Sequence, residues 1–414
     1  MTLSSRDFVY DCFSAFYSDP STVIPSPVML GQRELGFLLF KERIMLRHKA
    51  FARIKDLKSF LRDNVPSDVY RSCAYYENPA AEMDKKGWLG ADLVFDIDAD
   101  HIPTSCSKIH DEWTCTNSEC GFTGKGVTPE TCPVCGGRKF DTKTWPCDLC
   151  LESAKNETIK LIDMLEKDFG FSDKEMSVFF SGHRGYHVHV ENEAVKTLDT
   201  MARKEIVDYV FGLGLTLSSG KAKRGSRRRR ASREFSLHDF GWNRRLKLGL
   251  QNFVRDATKE DLKNAGVKGK SVAEILGNKD LIITRCVAEG RWDSVKGVGA
   301  GTWKKLVEYV KNLESSKIDT VVTTDTHRLI RMNGTLHGKT GLKKVGFPLG
   351  SLESFDPFKE AVAFKEGAVK VFVSDAPEFR LGENVFGPYK HKTVELPTAA
   401  AILLICKGRA EVAK

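Results

Sequence analysis

No stretch of this sequence is apolar for long enough to cross a bilayer. The longest apolar run near the C-terminus, Ala399 to Cys406, falls far short of the roughly 20 residues that a spanning helix needs. The first turns lack the apolar core of a secretory leader and carry Asp7 and Asp11 instead. No internal repeat is visible, which argues against solenoids and propellers. Cysteine is too sparse for a secreted disulfide scaffold, at 11 in 414 residues. Charge is not one-sided either: 64 basic side chains face 55 acidic ones, a net +9. That surplus weakly favours a polyanionic partner. The expectation is a cytoplasmic protein with no membrane association and about two or three domains.

What cysteine there is falls mostly in close pairs. With one histidine these are Cys106/His110, Cys115/Cys120, Cys132/Cys135 and Cys147/Cys150. Zinc sites take their ligands in such pairs. Cys132-Pro-Val-Cys135-Gly-Gly reads as a zinc-knuckle turn, with Cys115 and Cys120 as its natural partners. Cys147 and Cys150 open a helix, whose N-terminal dipole favours thiolates, and Cys106 and His110 complete that second site. Both sites would use four protein ligands and so be structural, and free thiols are the plainer alternative. Cys12, Cys73, Cys286 and Cys406 stand alone and read as small core residues, and His101, His189 and His238 as structural histidines.

The pattern predicts a helix at the N-terminus, capped by Ser4 or Ser5, with Phe8, Cys12, Ala15 and Phe16 on one face. Residues 35–46 and 91–98 read as strands. A cysteine-rich block, 105–150, holds few apolar residues and needs metal to hold it together. An amphipathic helix follows over 151–169, with Leu151, Ala154, Ile162, Leu165 and Phe169 in a stripe. Strands at 177–180 and 188–190 flank a turn at 181–187, and a helix covers 198–212. Arg227 to Arg230 lie in a basic loop that could touch a phosphate backbone. Residues 240–315 read as an inserted helical module. Strand signals return at 319–324 and 369–374, and a helix starts near Pro397. The segments are therefore 1–104, 105–150, 151–239, 240–315 and 316–414, and the fold class is α+β (mixed α/β).

Three further segments carry chemistry. In the strand ending at Asp98, Leu93, Phe95 and Ile97 share the core face, and Asp96 and Asp98 share the other. Adjacent carboxylates repel unless a cation lies between them, and hard divalent cations prefer oxygen. A solvated strand end is the plainer alternative, since Asp100 extends the acidic run. In Ser181-Gly-His-Arg-Gly-Tyr-His187, Gly182 and Gly185 allow a tight turn with exposed amides. Arg184 suits bidentate phosphate contact, and Ser181 and His187 can donate to phosphate oxygens. An incidental hairpin is the alternative there. The segment Asp319 to Leu342 mixes acids (Asp319, Asp325), bases (Arg328, Arg331, Lys339) and a His-Gly turn. Physical argument alone does not choose between Asp319 and Asp325, and a solvated helix face competes for Arg328 and Arg331.

In this order the segments resemble the small catalytic subunit of archaeal and eukaryotic DNA primase, closest to the archaeal branch. The resemblance rests on Val-Phe-Asp-Ile-Asp (94–98), Ser-Gly-His-Arg-Gly-Tyr-His (181–187), Arg-Leu-Ile-Arg (328–331) and Leu-His-Gly-Lys-Thr-Gly-Leu (336–342). Arg-Glu-Leu-Gly-Phe (33–37), Cys-Asp-Leu-Cys (147–150) and Pro-Glu-Phe-Arg-Leu-Gly (377–382) extend it over nearly the whole chain. It implies a primase fold with a zinc-binding insertion and a small helical domain. It also implies that Asp96, Asp98 and Asp319 hold two magnesium or manganese ions, with Asp319 preferred to Asp325 by its distance from His337. Ser181, Arg184, His187 and His337 would contact the nucleoside triphosphate, joined by Arg328 or Arg331. Cys106, His110, Cys147 and Cys150 match the family's zinc site, and Cys115, Cys120, Cys132 and Cys135 form an added one.

The implied activity is synthesis of short primers on a single-stranded DNA template, with a large subunit as partner. Asn333 and Thr335 stand where the family often has proline and serine, and Leu35 where phenylalanine is common. Competing readings are a primase-fold repair polymerase and a non-catalytic zinc-ribbon nucleic-acid-binding protein.

Overall fold

A computed structural model describes residues 2–41, 43–215, 240–287 and 295–413. The Arg227–Arg230 run and His238 lie outside these. The chain divides into two compact units. One gathers Met1–Ile159, Ser172–Lys204 and Lys317–Lys414, and holds every strand among the described residues. The other, Lys160–Phe171 with Glu205–Ser316, is helical among its described residues.

The central element of the first unit is a four-stranded antiparallel sheet. Its order is Val345–Phe347, Met176–Phe180, Gly185–Val190, Leu93–Asp98. The register sorts its side chains by chemistry. Phe180, Tyr186 and Ile97 form one cross-strand row, Val178, Val188 and Phe95 the next, and Met176, Val190 and Leu93 the third. All nine are buried. The opposite face carries Phe179, His187 and Asp96 in one row. Strand alternation thus turns a single apolar face into the reason why the other face is polar.

Three local expectations need correction. Residues 35–46 are a hairpin rather than one strand: Leu35–Leu39 pairs with Met45–Lys49 in a second sheet that also holds Pro66–Ser72 and Leu329–Arg331. Arg43 supplies a left-handed turn position there, with φ at 54°. Residues 319–324 are not a strand. Asp319 caps the short helix Thr320–Thr324 by accepting from the Val321 and Val322 amides at 2.8 and 3.4 Å. That local bond outweighs the strand preference of Val-Val-Thr-Thr. The N-terminal helix, Leu3–Ser18, starts after Thr2 and buries Ser5, Val9, Phe13 and Tyr17 rather than the expected Phe8, Cys12, Ala15 and Phe16. Ser5 is therefore not its cap; its hydroxyl accepts from the Val412 amide at 2.9 Å.

Two further expectations match. Asp148–Lys167 is a long helix burying Leu151, Ala154, Ile162 and Leu165. Thr398–Cys406 is buried along most of its length, which explains the apolar run near the C-terminus. The cysteine-rich insertion forms a three-stranded sheet from Glu112–Cys115, Thr123–Lys125 and Phe140–Lys143. Its apolar content is small. Trp113 packs edge-on against Phe140 at 5.3 Å and lies across Gly124, where a Cβ would come 2.2 Å from the indole. No described helix is long and apolar enough to cross a membrane.

Gly185 opens the strand that pairs with the acidic one. A Cβ there would meet the Ile97 carbonyl oxygen at 2.2 Å. Gly185→Ala should therefore push the two strands apart and cost about 1–3 kcal/mol, as overpacking does. Thermal unfolding checks this: a melting temperature equal to the parent's would show that the strands tolerate the methyl group.

Candidate active site

The Leu93–Asp98 strand delivers Asp96 and Asp98 to the polar sheet face, both carboxylates partly buried. Asp319 joins them because its backbone amide donates to the Asp96 carbonyl at 2.8 Å. Burial first, then the charges of Asp98 and Asp319, pushes the Asp96 carboxyl up to about 7. Burial also raises Asp98, against the pull of Arg184 and His101. Such a group favours a bound cation, whose charge would offset both effects. Asp325 instead ends the short helix and accepts from the His327 amide at 2.9 Å. His101, given no partner by sequence, places Nε2 4.0 Å from Asp319.

His187 lies directly across from Asp96 in the register, with Nε2 3.4 Å from its carboxylate. Lys344 Nζ stands 2.8 Å from Nδ1 and also donates to the Arg331 carbonyl at 2.9 Å. A donor on Nδ1 puts the ring proton on Nε2, facing Asp96. Burial and the nearby cations hold His187 well below the usual histidine range, so the ring is neutral. His189, on the same strand, accepts on Nδ1 from Nη2 of buried Arg71 at 2.8 Å and has a structural setting.

A basic pole faces this acidic one. Gly182, at φ 89°, lets the Ser181–Gly185 turn approach the 337–341 turn, and Thr340 donates to the Gly182 carbonyl at 2.6 Å. That contact stacks His183 on His337, with ring centroids 5.1 Å apart. Lys407 Nζ sits 2.5 Å from His183 Nε2. Burial, with Arg184 and Lys339 nearby, pushes Lys407 down to about 7. Burial and the surrounding cations also lower His183 and His337 well below the ordinary value. Ser181 is buried in the same turn, its hydroxyl accepting from the His183 amide at 3.3 Å.

The arginines divide. Arg328 is partly exposed and adds positive potential at Asp96 and His187. Arg331 is on a strand rather than a helix, buried, and paired with Asp68 at 2.6 Å. Arg184 departs most from expectation. It is 1% exposed, and its donors go to Asp100 and Asp111. Nε and Nη1 are thus engaged by protein carboxylates, which hold the guanidinium beside the acidic strand end.

Sequence reasoning gave no role to His183, Lys344, Lys407, Asp68 and Asp111, and read Asp100 only as part of the acidic run. His183 lies inside the recognised turn and Asp111 directly follows a metal-type histidine, so both left a signal. Lys407 left none, because only tertiary packing brings it to residue 183.

The two cysteine clusters assemble as their spacing suggests. Cys106, His110, Cys147 and Cys150 place one ligand atom each within 4.8 Å of one another, and so do Cys115, Cys120, Cys132 and Cys135. Sulfurs on a tetrahedral zinc lie about 3.8 Å apart. The observed separations are 3.4 Å for Cys106–Cys150, 3.5 Å for Cys115–Cys135 and 3.7 Å for Cys120–Cys132. His110 Nε2 stands 3.3 Å from Cys147 Sγ, and its Nδ1 lies 2.7 Å from Asp111, the outer-shell carboxylate expected behind a metal-bound imidazole. Both sites fit zinc, and neither has the geometry of a disulfide. Cys73 and Cys286 are buried and Cys12 and Cys406 half-buried, as small packing residues.

The raised Asp96 carboxyl has a consequence for stability. Its unfolded counterpart ionises near 3.8 and the folded one near 7. Folding stability therefore falls as pH rises between those values. Without added magnesium or manganese, Asp96→Asn should melt at a higher temperature than the parent at pH 8, and the gap should close towards pH 4. A variant less stable than the parent at pH 8 would contradict this.

Comparison with known proteins agrees with this geometry. Residues 141–350 match the family model for the DNA primase small subunit. The DNA primase small subunit PriS of Methanococcoides burtonii is 32% identical over 99% of each chain. That of Methanothrix thermoacetophila is 33% identical over 97% of each, and that of Nitrosopumilus maritimus 30% over 98% of each. With an acidic strand end, a basic turn and two metal-type clusters in one unit, and likeness over nearly its full length, the chain belongs to the DNA primase small subunit family.

Proposed function

We propose that this chain is a DNA-templated nucleotidyltransferase that makes short primers from nucleoside triphosphates for DNA replication. The observation that carries the reading is the juxtaposition of Asp96, Asp98 and Asp319 with a basic pole whose Lys339 and Lys407 act on Asp98. In the reaction a 3′-hydroxyl attacks the α-phosphorus of the incoming nucleotide and pyrophosphate leaves. Asp96, Asp98 and Asp319 would hold two magnesium or manganese ions, which supply charge neutralisation and hydroxyl activation when bound. His187, held by Lys344, keeps Asp96 oriented. Ser181, His183, His337, Lys339 and Lys407 receive the triphosphate, and Arg328 adds positive charge nearby. Arg331 shapes the 336–340 turn through its bond to the Leu336 carbonyl. Catalysis is then positioning and charge compensation.

The names of the relatives speak of a small subunit, which supports a large subunit as partner. Single-stranded DNA is the template. Segments 1–104, 151–239 and 316–414 would form the catalytic body, interrupted by the 105–150 and 240–315 insertions.

The test is synthesis on unprimed single-stranded DNA, with nucleotides supplied separately. Alanine at Asp96, Asp98 or Asp319 should each abolish incorporation in a folded protein, and Asp325→Ala should be much milder. His337→Ala should cost on the order of 10- to 100-fold at limiting nucleotide, the scale of one charged phosphate contact. Full activity of Asp96→Ala would favour a non-catalytic zinc-ribbon protein. Extension of primers with no synthesis de novo would favour a repair polymerase. Metal analysis should find two zinc ions per chain. Cys132→Ser with Cys135→Ser should remove one of them and leave nucleotide addition to an existing primer largely intact. A single zinc in the parent protein would defeat the two-site assignment.

A further inference from the structure

Asp111 stands at a junction. One of its carboxylate oxygens lies 2.7 Å from His110 Nδ1 and accepts from the Trp145 amide at 3.1 Å. The same carboxylate takes Arg184 Nη1 at 2.8 and 3.0 Å. Arg184 in turn donates from Nε to Asp100 at 2.6 Å and stands 3.9 Å from Asp98. Its Nη1 is also 3.8 Å from Cys150 Sγ. Asp111 is 5% exposed, so solvent screens little of this. A continuous path of charged contacts therefore runs from the outer cysteine-histidine cluster to the acidic strand end.

We infer that Asp111 is a positioning residue that couples the outer cluster to the Asp96–Asp98 pair by holding the Arg184 guanidinium. The inference rests on the reading of Asp96 and Asp98 as cation ligands. Its logic is competition for one cation. Asp111 draws part of the Arg184 charge towards the cluster. Without that anchor the guanidinium turns wholly to Asp98 and Asp100, where it opposes a divalent ion. His110 fixes where Asp111 stands, so the cluster sets how much positive charge the acidic pair meets. Among the described residues the inner cluster has no such contact with the acidic strand.

Manganese binding to the purified chain, followed by electron paramagnetic resonance, tests this without requiring turnover. Asp111→Asn should weaken binding about 10-fold, a coupling normal within one charge network. In an Arg184→Gln background the same change should have almost no effect, because no guanidinium is left to redirect. Cys132→Ser with Cys135→Ser, which opens the inner cluster, should leave manganese binding unchanged. Zinc content is read alongside. An unchanged manganese affinity in Asp111→Asn, with or without its zinc, overturns the proposal. So do losses that simply multiply in the double variant. Should Asp111→Asn not fold, Asp111→Glu keeps the charge but displaces the carboxylate, and the same pair of comparisons decides. Manganese binding that survives Asp96→Ala is a different failure: it removes the cation-site reading and this inference with it.

Discussion

The pairing of Leu93–Asp98 with Gly185–Val190 is the constraint on which the rest of the site depends. Its register puts Asp96 across from His187 and Asp98 across from Gly185. Two sequence segments about 90 residues apart thereby become one surface. The fit is close enough that only glycine is accommodated at 185, where the Ile97 carbonyl fills the space of a side chain. Once those strands are paired, the apolar rows on the opposite face fix which way every other side chain points. The acidic pair cannot turn to solvent without exposing Phe95 and Ile97, and burying each of these is worth roughly 1.5–3 kcal/mol. Hydrophobic burial on one face thus holds electrostatic repulsion in place on the other.

That repulsion has a counterpart across the site. Burial raises the Asp96 carboxyl, and burial with like charge lowers Lys407. Each pole is strained in the sense that its own charge is disfavoured where it stands. Ordinary cores resolve such strain by interleaving opposite charges, as Arg331 with Asp68 and Arg33 with Asp92 do here. At the site Arg184 comes to 3.9 Å from Asp98, but the other acids and bases gather largely at two poles. Separated poles of opposite sign suit a ligand that brings both signs with it, as a divalent ion with a polyphosphate does.

The sequence revealed what short-range geometry determines. Residues two apart on a strand share a face, so the placement of Asp96 and Asp98 could be read directly. Ligand pairs nested within a short segment can close only on one another, so both cysteine clusters were legible, as was the stripe of the Asp148–Lys167 helix. The misses share a cause. Thr320–Thr324 is a helix because Asp319 caps it, a side-chain bond that outweighs the β-branched composition. The partners that hold Arg184, invisible in its glycine-flanked setting, come from 73 and 84 residues away. Lys407 reaches His183 across 224 residues. Local composition says which groups are available, and only the packed fold says which of them are already engaged.

The insertion shows how that engagement is distributed. Its three strands bury little besides Trp113 and Cys115, too little apolar surface to order about 46 residues without cross-links. Metal clusters supply order where a core cannot. The inner cluster staples the far end of the insertion, at the loops that flank the small sheet. The outer cluster draws Cys106 and His110 onto the start of the Asp148–Lys167 helix, the point at which the insertion leaves and rejoins the body of the fold. A cluster at that base must set the position of the residues beside it, and Asp111 is one of them. The same geometry that lets the chain carry a poorly packed insertion therefore places a metal-type site one carboxylate away from Arg184 and the acidic strand.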